Sequence, residues 1–185
     1  MTDFRQDHPD GVILALDQMS AYLQASLTRV WSLIGQTPYV RLSPQRDCVH
    51  FYGALDVISG QQLALPANHL NGEQTVHFLE HVLACFPNRA ILLLWDRAPW
   101  HKGVARQFVQ AHPRLDMLYF PPGCPQLNPQ EHVWKQTRQA VGHLHDYCHI
   151  SQLRQVFLSY LDNSLFHFNW VAKYLPPTLY ASVLS

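Results

Sequence analysis

Three carboxylates stand where a metal ion would be of use. The apolar run Val12-Ile13-Leu14-Ala15-Leu16 delivers Asp17, and Ile91-Leu92-Leu93-Leu94-Trp95 delivers Asp96. Further on, Leu127-Asn128-Pro129-Gln130-Glu131-His132-Val133-Trp134 presents Glu131, with 34 residues (97–130) separating it from Asp96. Continuous apolar runs of this length read as strands buried on both faces, which puts each Asp where its strand leaves the core. Burying a carboxylate there is expensive unless something compensates, and a divalent cation shared among carboxylates is the usual compensation.

Glu131 has a second reading. Asn128 suits a helix N-cap, Pro129 suits the first helical position, and Glu131 falls three residues after the cap, where a capping-box carboxylate belongs. Taken alone, the pattern favours capping. The first helical turn also favours an ionised carboxylate through the helix dipole, which suits cation binding.

The elements that must hold these groups follow from the pattern. A strand is expected over residues 12–18, with an irregular stretch over 19–40, and a second strand over 48–57 that turns at Ser59-Gly60 into 61–65 as a hairpin. Asn71, with Gln74 three residues on, opens a helix carrying Val76, Leu79, Val82, Leu83 and Phe86 at helical spacing. After the strand ending at Asp96 come a short helix around Val104, Phe108 and Val109, and a strand over 115–120. Leu153, Val156, Phe157, Tyr160 and Leu161 mark a terminal helix that packs on the domain, with Phe166, Phe168, Trp170 and Tyr174 extending that packing or forming a partner surface. This order predicts an α/β fold whose sheet contains antiparallel and parallel pairs.

Other chemistry-bearing residues have plainer explanations. Asp56, beside Ser59-Gly60, reads as a solvated hairpin-end carboxylate. His77 and His81 share a helical face but lack the HExxH pattern. His143, His145, Cys148 and His149 are zinc-ligating types, crowded into a spacing unlike that of a zinc finger. Trp31 reads as an aromatic anchor beneath a loop.

A chain of 185 residues that is 48% apolar is consistent with one domain over 1–185, with 146–185 as a C-terminal helical extension. No apolar stretch suggests a membrane span or a signal peptide, so a cytoplasmic address is expected. The four cysteines are widely separated and read as reduced thiols. Thirteen Lys and Arg balance thirteen Asp and Glu. That balance does not point to nucleic acid, so any grip on DNA would come from a local patch, another chain or metal ions.

The strands ending in Asp17 and Asp96, His101 after the second, Pro121-Pro122, and Leu127-Asn128-Pro129-Gln130-Glu131-His132-Val133-Trp134 together resemble a DDE transposase. The likeness covers roughly residues 10–145 and is greatest to the bacterial insertion-sequence branch of the mariner-like superfamily, in which 34 residues separate the last two carboxylates. The resemblance implies a ribonuclease H-like mixed sheet flanked by helices, with Asp17, Asp96 and Glu131 as both catalytic residues and metal ligands. Two Mg²⁺ or Mn²⁺ ions about 3.5 to 4 Å apart would activate a water or 3′-hydroxyl and stabilise the departing oxygen. Cleavage at insertion-sequence ends and strand transfer into target DNA are implied, at TA dinucleotides. Arg97, His101, Lys102, Lys135 and Arg138 are the candidate DNA contacts, with His101 reading equally as a residue that supports Asp96 from behind or as a structural histidine.

Two departures stand out. Gln18 follows Asp17 where related sequences often have Glu; since adjacent strand residues face opposite ways, that change is expected to leave a metal site intact. Arg97 follows Asp96 where Asn is frequent. Related transposases carry an N-terminal helix-turn-helix module ahead of the first catalytic strand, so end recognition is expected to need additional sequence or an upstream helix-turn-helix polypeptide as partner, alongside a homodimer. The competing readings are a ribonuclease H-like nuclease that cuts without joining, and an inactive transposase-derived binding or dimerisation module.

Overall fold

The computed structural model describes residues 1–24, 32–36, 47–143, 147–169 and 173. Its strands are β1 (Val12–Tyr22), β2 (Cys48–Asp56), β3 (Gln62–Ala67), β4 (Ile91–Trp95) and β5 (Leu115–Tyr119). They form one sheet in the order β3-β2-β1-β4-β5. The β1–β2 and β2–β3 pairs are antiparallel, whereas β1–β4 and β4–β5 are parallel. β1 and β4 lie inside the sheet with both faces covered, which is why their sequences are continuously apolar.

β1 runs four residues past the expected end. The apolar run stops at Leu16, but β2 continues to pair as far as Tyr22 with Cys48. In this extension Met19 and Ala21 are buried and Tyr22 is exposed. Alternation of that kind marks a half-covered strand and was present in the residues read as irregular.

Helices cover both faces. α2 (Gly72–Cys85) and α3 (Val104–Ala111) bury Phe78, Leu79, Val82, Ala105 and Val109 against Leu14, Leu16, Leu93 and Trp95. On the opposite face α4 (Pro129–Thr137) and α5 (Ile150–Asp162) bury Val133, Trp134, Leu153, Phe157 and Leu161 against Met19, Phe51 and Leu55. The expected terminal helix is therefore part of the core. A short α1 (Thr2–Asp7) precedes β1, and Phe4 packs beside Ile13, Ala15, Leu92 and Leu94. Asn71 caps α2 as its spacing predicted, its side chain accepting from the Gln74 N–H at 2.8 Å.

The hairpin forms at Ser59-Gly60, but Asp56 is buried there and not solvated. Its carboxylate accepts from the Ile58 N–H at 3.0 Å and the Ser59 hydroxyl at 2.8 Å, so the turn supplies the polar partners that water was expected to supply. His77 lies 3.7 Å from Glu80, and His81 3.6 Å from the Cys85 sulfur. His149 precedes α5 and donates its backbone N–H to Gln152 Oε1 at 3.3 Å. Trp31, His145, Trp170 and Tyr174 lie outside the described residues. Among the described residues no helix is long and apolar enough to cross a membrane, and no disulfide joins the cysteines.

Candidate active site

Strand pairing brings the two aspartates together. The last parallel pair between β1 and β4 at this end is Ala15 with Leu94; two residues on come Asp17, still within β1, and Asp96, one residue past the end of β4. Asp17 continues the alternation of Ile13 and Ala15, which pack in one cluster with Leu92 and Leu94, and Asp96 follows β4 to line the same cavity. Asp17 does not end its strand, since it still pairs with Gly53 of β2. It stands where β1 loses its β4 neighbour.

Glu131 reaches this point from the first turn of α4. Asn128, 4% exposed, accepts the Gln130 N–H on Oδ1 and donates from Nδ2 to the Leu16 carbonyl, each at 3.0 Å. One side chain thus caps α4 and ties it to the strand residue before Asp17. The Asn128 N–H donates to the Pro125 carbonyl at 2.9 Å. A capping-box carboxylate would take that bond. With the donor already used, Glu131 lines the cavity between the three carboxylates.

Gly53 lets the helix approach. A Cβ there would collide with the Trp134 ring and lie 2.7 Å from Gln130 Nε2. An isolated glycine in an apolar strand signals a close approach of this kind.

The cavity has a volume of about 290 Å³ and is lined by the three carboxylates, Arg97, Asn128 and the loop from Phe120 to Pro125. Burial of Asp17, helped by the negative charges of Glu131 and then Asp96, pushes its pKa up to about 8. The Trp134 indole N–H faces that carboxylate and opposes the rise weakly, without completing a hydrogen bond. Asp96 moves the other way. The hydrogen bond from His101 holds it below the usual carboxylate range, against partial burial and with help from the Ala98 N–H. Among the described residues no three His, Cys, Asp or Glu side chains are drawn into a ready-made ligand cluster. The carboxylates instead face a shared space, and their oxygen donors and mutual repulsion suit a hard divalent cation.

His101 is fully buried, which favours the supporting role over contact with a DNA phosphate. Its ring stacks on Trp95 at 4.5 Å, and Nδ1 lies 2.9 Å from Asp96 Oδ1. Nε2 lies 2.9 Å from Gln18 Nε2, and the Trp100 indole N–H donates to Gln18 Oε1 at 2.7 Å. Gln18 does face away from Asp17, yet it reaches the site from behind through His101. No sequence signal marked Trp100, and none marked the second bond of Asn128. Of the basic candidates, Arg97 lines the cavity with its guanidinium 5.6 Å over the Tyr119 ring. Lys102 and Lys135 are exposed and Arg138 is half-buried, all outside the cavity lining.

A family model described as DDE superfamily endonuclease matches residues 12–154. Among solved structures, the Mos1 transposase paired-end complex with left transposon end superimposes with a TM-score of 0.69 at 13% identity, covering 99% of this chain and 57% of that one. The Mos1 mariner paired end complex with Mn gives 0.65 at 14% identity, covering 92% and 55%. The catalytic domain of Mos1 mariner transposase gives 0.61 at 12% identity, covering 99% and 85%. This chain thus spans little more than half the length of the chains in the two complexes. No curated protein sequence matches it. At these identities the likeness is one of fold, and it is the ribonuclease H-like arrangement expected from the sequence.

Proposed function

We propose that this chain, which belongs to the DDE superfamily endonuclease family, is the catalytic domain of a transposase of the bacterial insertion-sequence branch, cutting DNA at the element's ends and joining them to target DNA. The observation that carries the reading is the convergence of Asp17, Asp96 and Glu131 on one cavity. Two Mg²⁺ or Mn²⁺ ions held there would supply Lewis-acid activation of the attacking and departing oxygens. Solved Mos1 paired end complexes with Mn and with Mg support that choice of ions.

The chain's own residues divide the work. Asp17, whose carboxylate feels the charges of both Glu131 and Asp96, would be the ligand shared between the ions, and displacement of its proton would couple binding to pH. Asp96 is kept ionised by His101 and is ready to bind. Glu131 is presented by the N-terminus of α4 on a mount fixed by Asn128. Arg97 takes a phosphate at the cavity rim, while Lys102, Lys135 and Arg138 meet the backbone further out. Residues 1–185 act as one domain, with 146–185 as its C-terminal helical extension. End recognition falls to a helix-turn-helix polypeptide, pairing of ends to a homodimer, and the reaction takes place in the cytoplasm.

The test is incubation with Mn²⁺, a pre-nicked terminal-repeat DNA and a target plasmid, with an end-binding helix-turn-helix module supplied. Joined products that disappear in Asp96→Asn support a transposase. Cleavage without joining would replace it with a nuclease, and no metal-dependent reaction would leave a binding module.

A further inference from the structure

We propose that Gln18 and Trp100 are positioning residues for Asp96, acting through the tautomer and orientation of His101. This rests on the metal-ligand reading of Asp96. His101 Nδ1 faces two acceptors, Asp96 Oδ1 at 2.9 Å and the Asp96 carbonyl at 3.2 Å, so Nδ1 carries a hydrogen. The other ring nitrogen, Nε2, lies 2.9 Å from Gln18 Nε2.

Which way the Gln18 amide points decides what Nε2 does. An indole N–H only donates, and that of Trp100 is 2.7 Å from Gln18 Oε1. The amide oxygen therefore belongs on the Trp100 side and the NH₂ on the His101 side. Gln18 donates to Nε2, and His101 is held as the Nδ1–H tautomer with its hydrogen on Asp96.

The effect at Asp96 is specific to one oxygen. Oδ1 accepts from His101 Nδ1–H and from the Ala98 N–H, both at 2.9 Å. Asp96 lines the cavity, and with Oδ1 so engaged Oδ2 is the oxygen that would serve as ligand atom. Stacking of His101 on Trp95 holds the ring plane, and the Trp100–Gln18 pair holds its far end, so the carboxylate is oriented before any cation arrives.

Nitrogen-15 NMR of the metal-free full chain tests this. An unprotonated His101 Nε2 is expected, with scalar coupling across the hydrogen bond from Gln18 Nε2. Trp100→Phe keeps a ring and removes the N–H, which should abolish the coupling. Trp100→Phe and Gln18→Met should each weaken Mn²⁺ binding about 10-fold, as outer partners of metal ligands do. A protonated Nε2 in the unsubstituted protein would overturn the proposal, as would full coupling in Trp100→Phe or unchanged Mn²⁺ affinity in Gln18→Met. If Trp100→Phe does not fold, the unsubstituted protein's Nε2 signal and Gln18→Met decide. Coupling present in a protein that binds no Mn²⁺ would uphold the tautomer and sink the metal reading instead.

Discussion

The Asn128 side-chain amide donates to the Leu16 carbonyl across 3.0 Å, joining the residue before Glu131's helix to the residue before Asp17. Two carboxylates from distant parts of the chain are thereby held by one buried side chain. Asn128→Asp keeps the capping oxygen and removes the donor to Leu16. A buried acceptor left without its partner costs about 1–3 kcal/mol. Urea unfolding should show a loss of that size, together with weaker Mn²⁺ binding, and an unchanged midpoint would mean the tie does not hold the site.

Asp17 makes metal-free stability depend on pH. Its pKa stands at about 8 in the folded chain against an ordinary 3.8, so between those values the folded state holds a proton that the unfolded state has lost. The stabilisation is full below pH 3.8 and is lost as pH rises through about 8. Each tenfold in proton affinity is worth about 1.4 kcal/mol. Asp17→Asn cannot titrate, so without metal it should gain stability relative to the unsubstituted protein as pH climbs from 5 to 8, and the difference should then level off. Parallel pH profiles for the two proteins would contradict this electrostatic account.

Gly53→Ala should act at a distance on Glu131. The added methyl meets the buried Trp134 ring and Gln130, neither of which has room to retreat. Overpacking of this kind costs about 1–3 kcal/mol. Because α4 must move, Mn²⁺ affinity should fall along with thermal stability. A drop in stability with full metal affinity would show that the carboxylates tolerate the shift.

Arg97 is the cation best placed to meet a phosphate. Neutralising one phosphate contributes about 0.9 to the slope of log affinity against log salt on duplex DNA. Arg97→Ala should therefore lower that slope by about 1, and Arg97→Lys should largely preserve it. If the guanidinium serves only to pack on Tyr119, the slope will stay where it was.

The parts of this molecule set by local pattern were legible in the sequence. The apolar runs before Asp17 and Asp96 mark central strands because a strand covered on both faces has no polar side to interrupt it. Asn71 and Asn128 mark helix starts because a cap is a bond to residues two or three positions away. Bonds across long sequence separations were not legible. Gln18 was read as harmless because it faces away from Asp17, yet Trp100 and His101, more than 80 residues on, turn that face into the back wall of the site. Asp56 was read as solvated because its turn is short and polar, but the same turn wraps and buries it. Gly53 did carry a signal, being a lone glycine in an apolar strand, although what approaches it is fixed only by the docking of α4.

Asp17, Asp96 and Glu131 are proposed to form one metal site. Crystals soaked in Mn²⁺, with data collected at the manganese absorption edge, test it most directly. Anomalous peaks are expected in the cavity bounded by these three carboxylates, with Asp96 bonded through the oxygen that His101 leaves open. Manganese bound elsewhere on the surface with this cavity empty would contradict it.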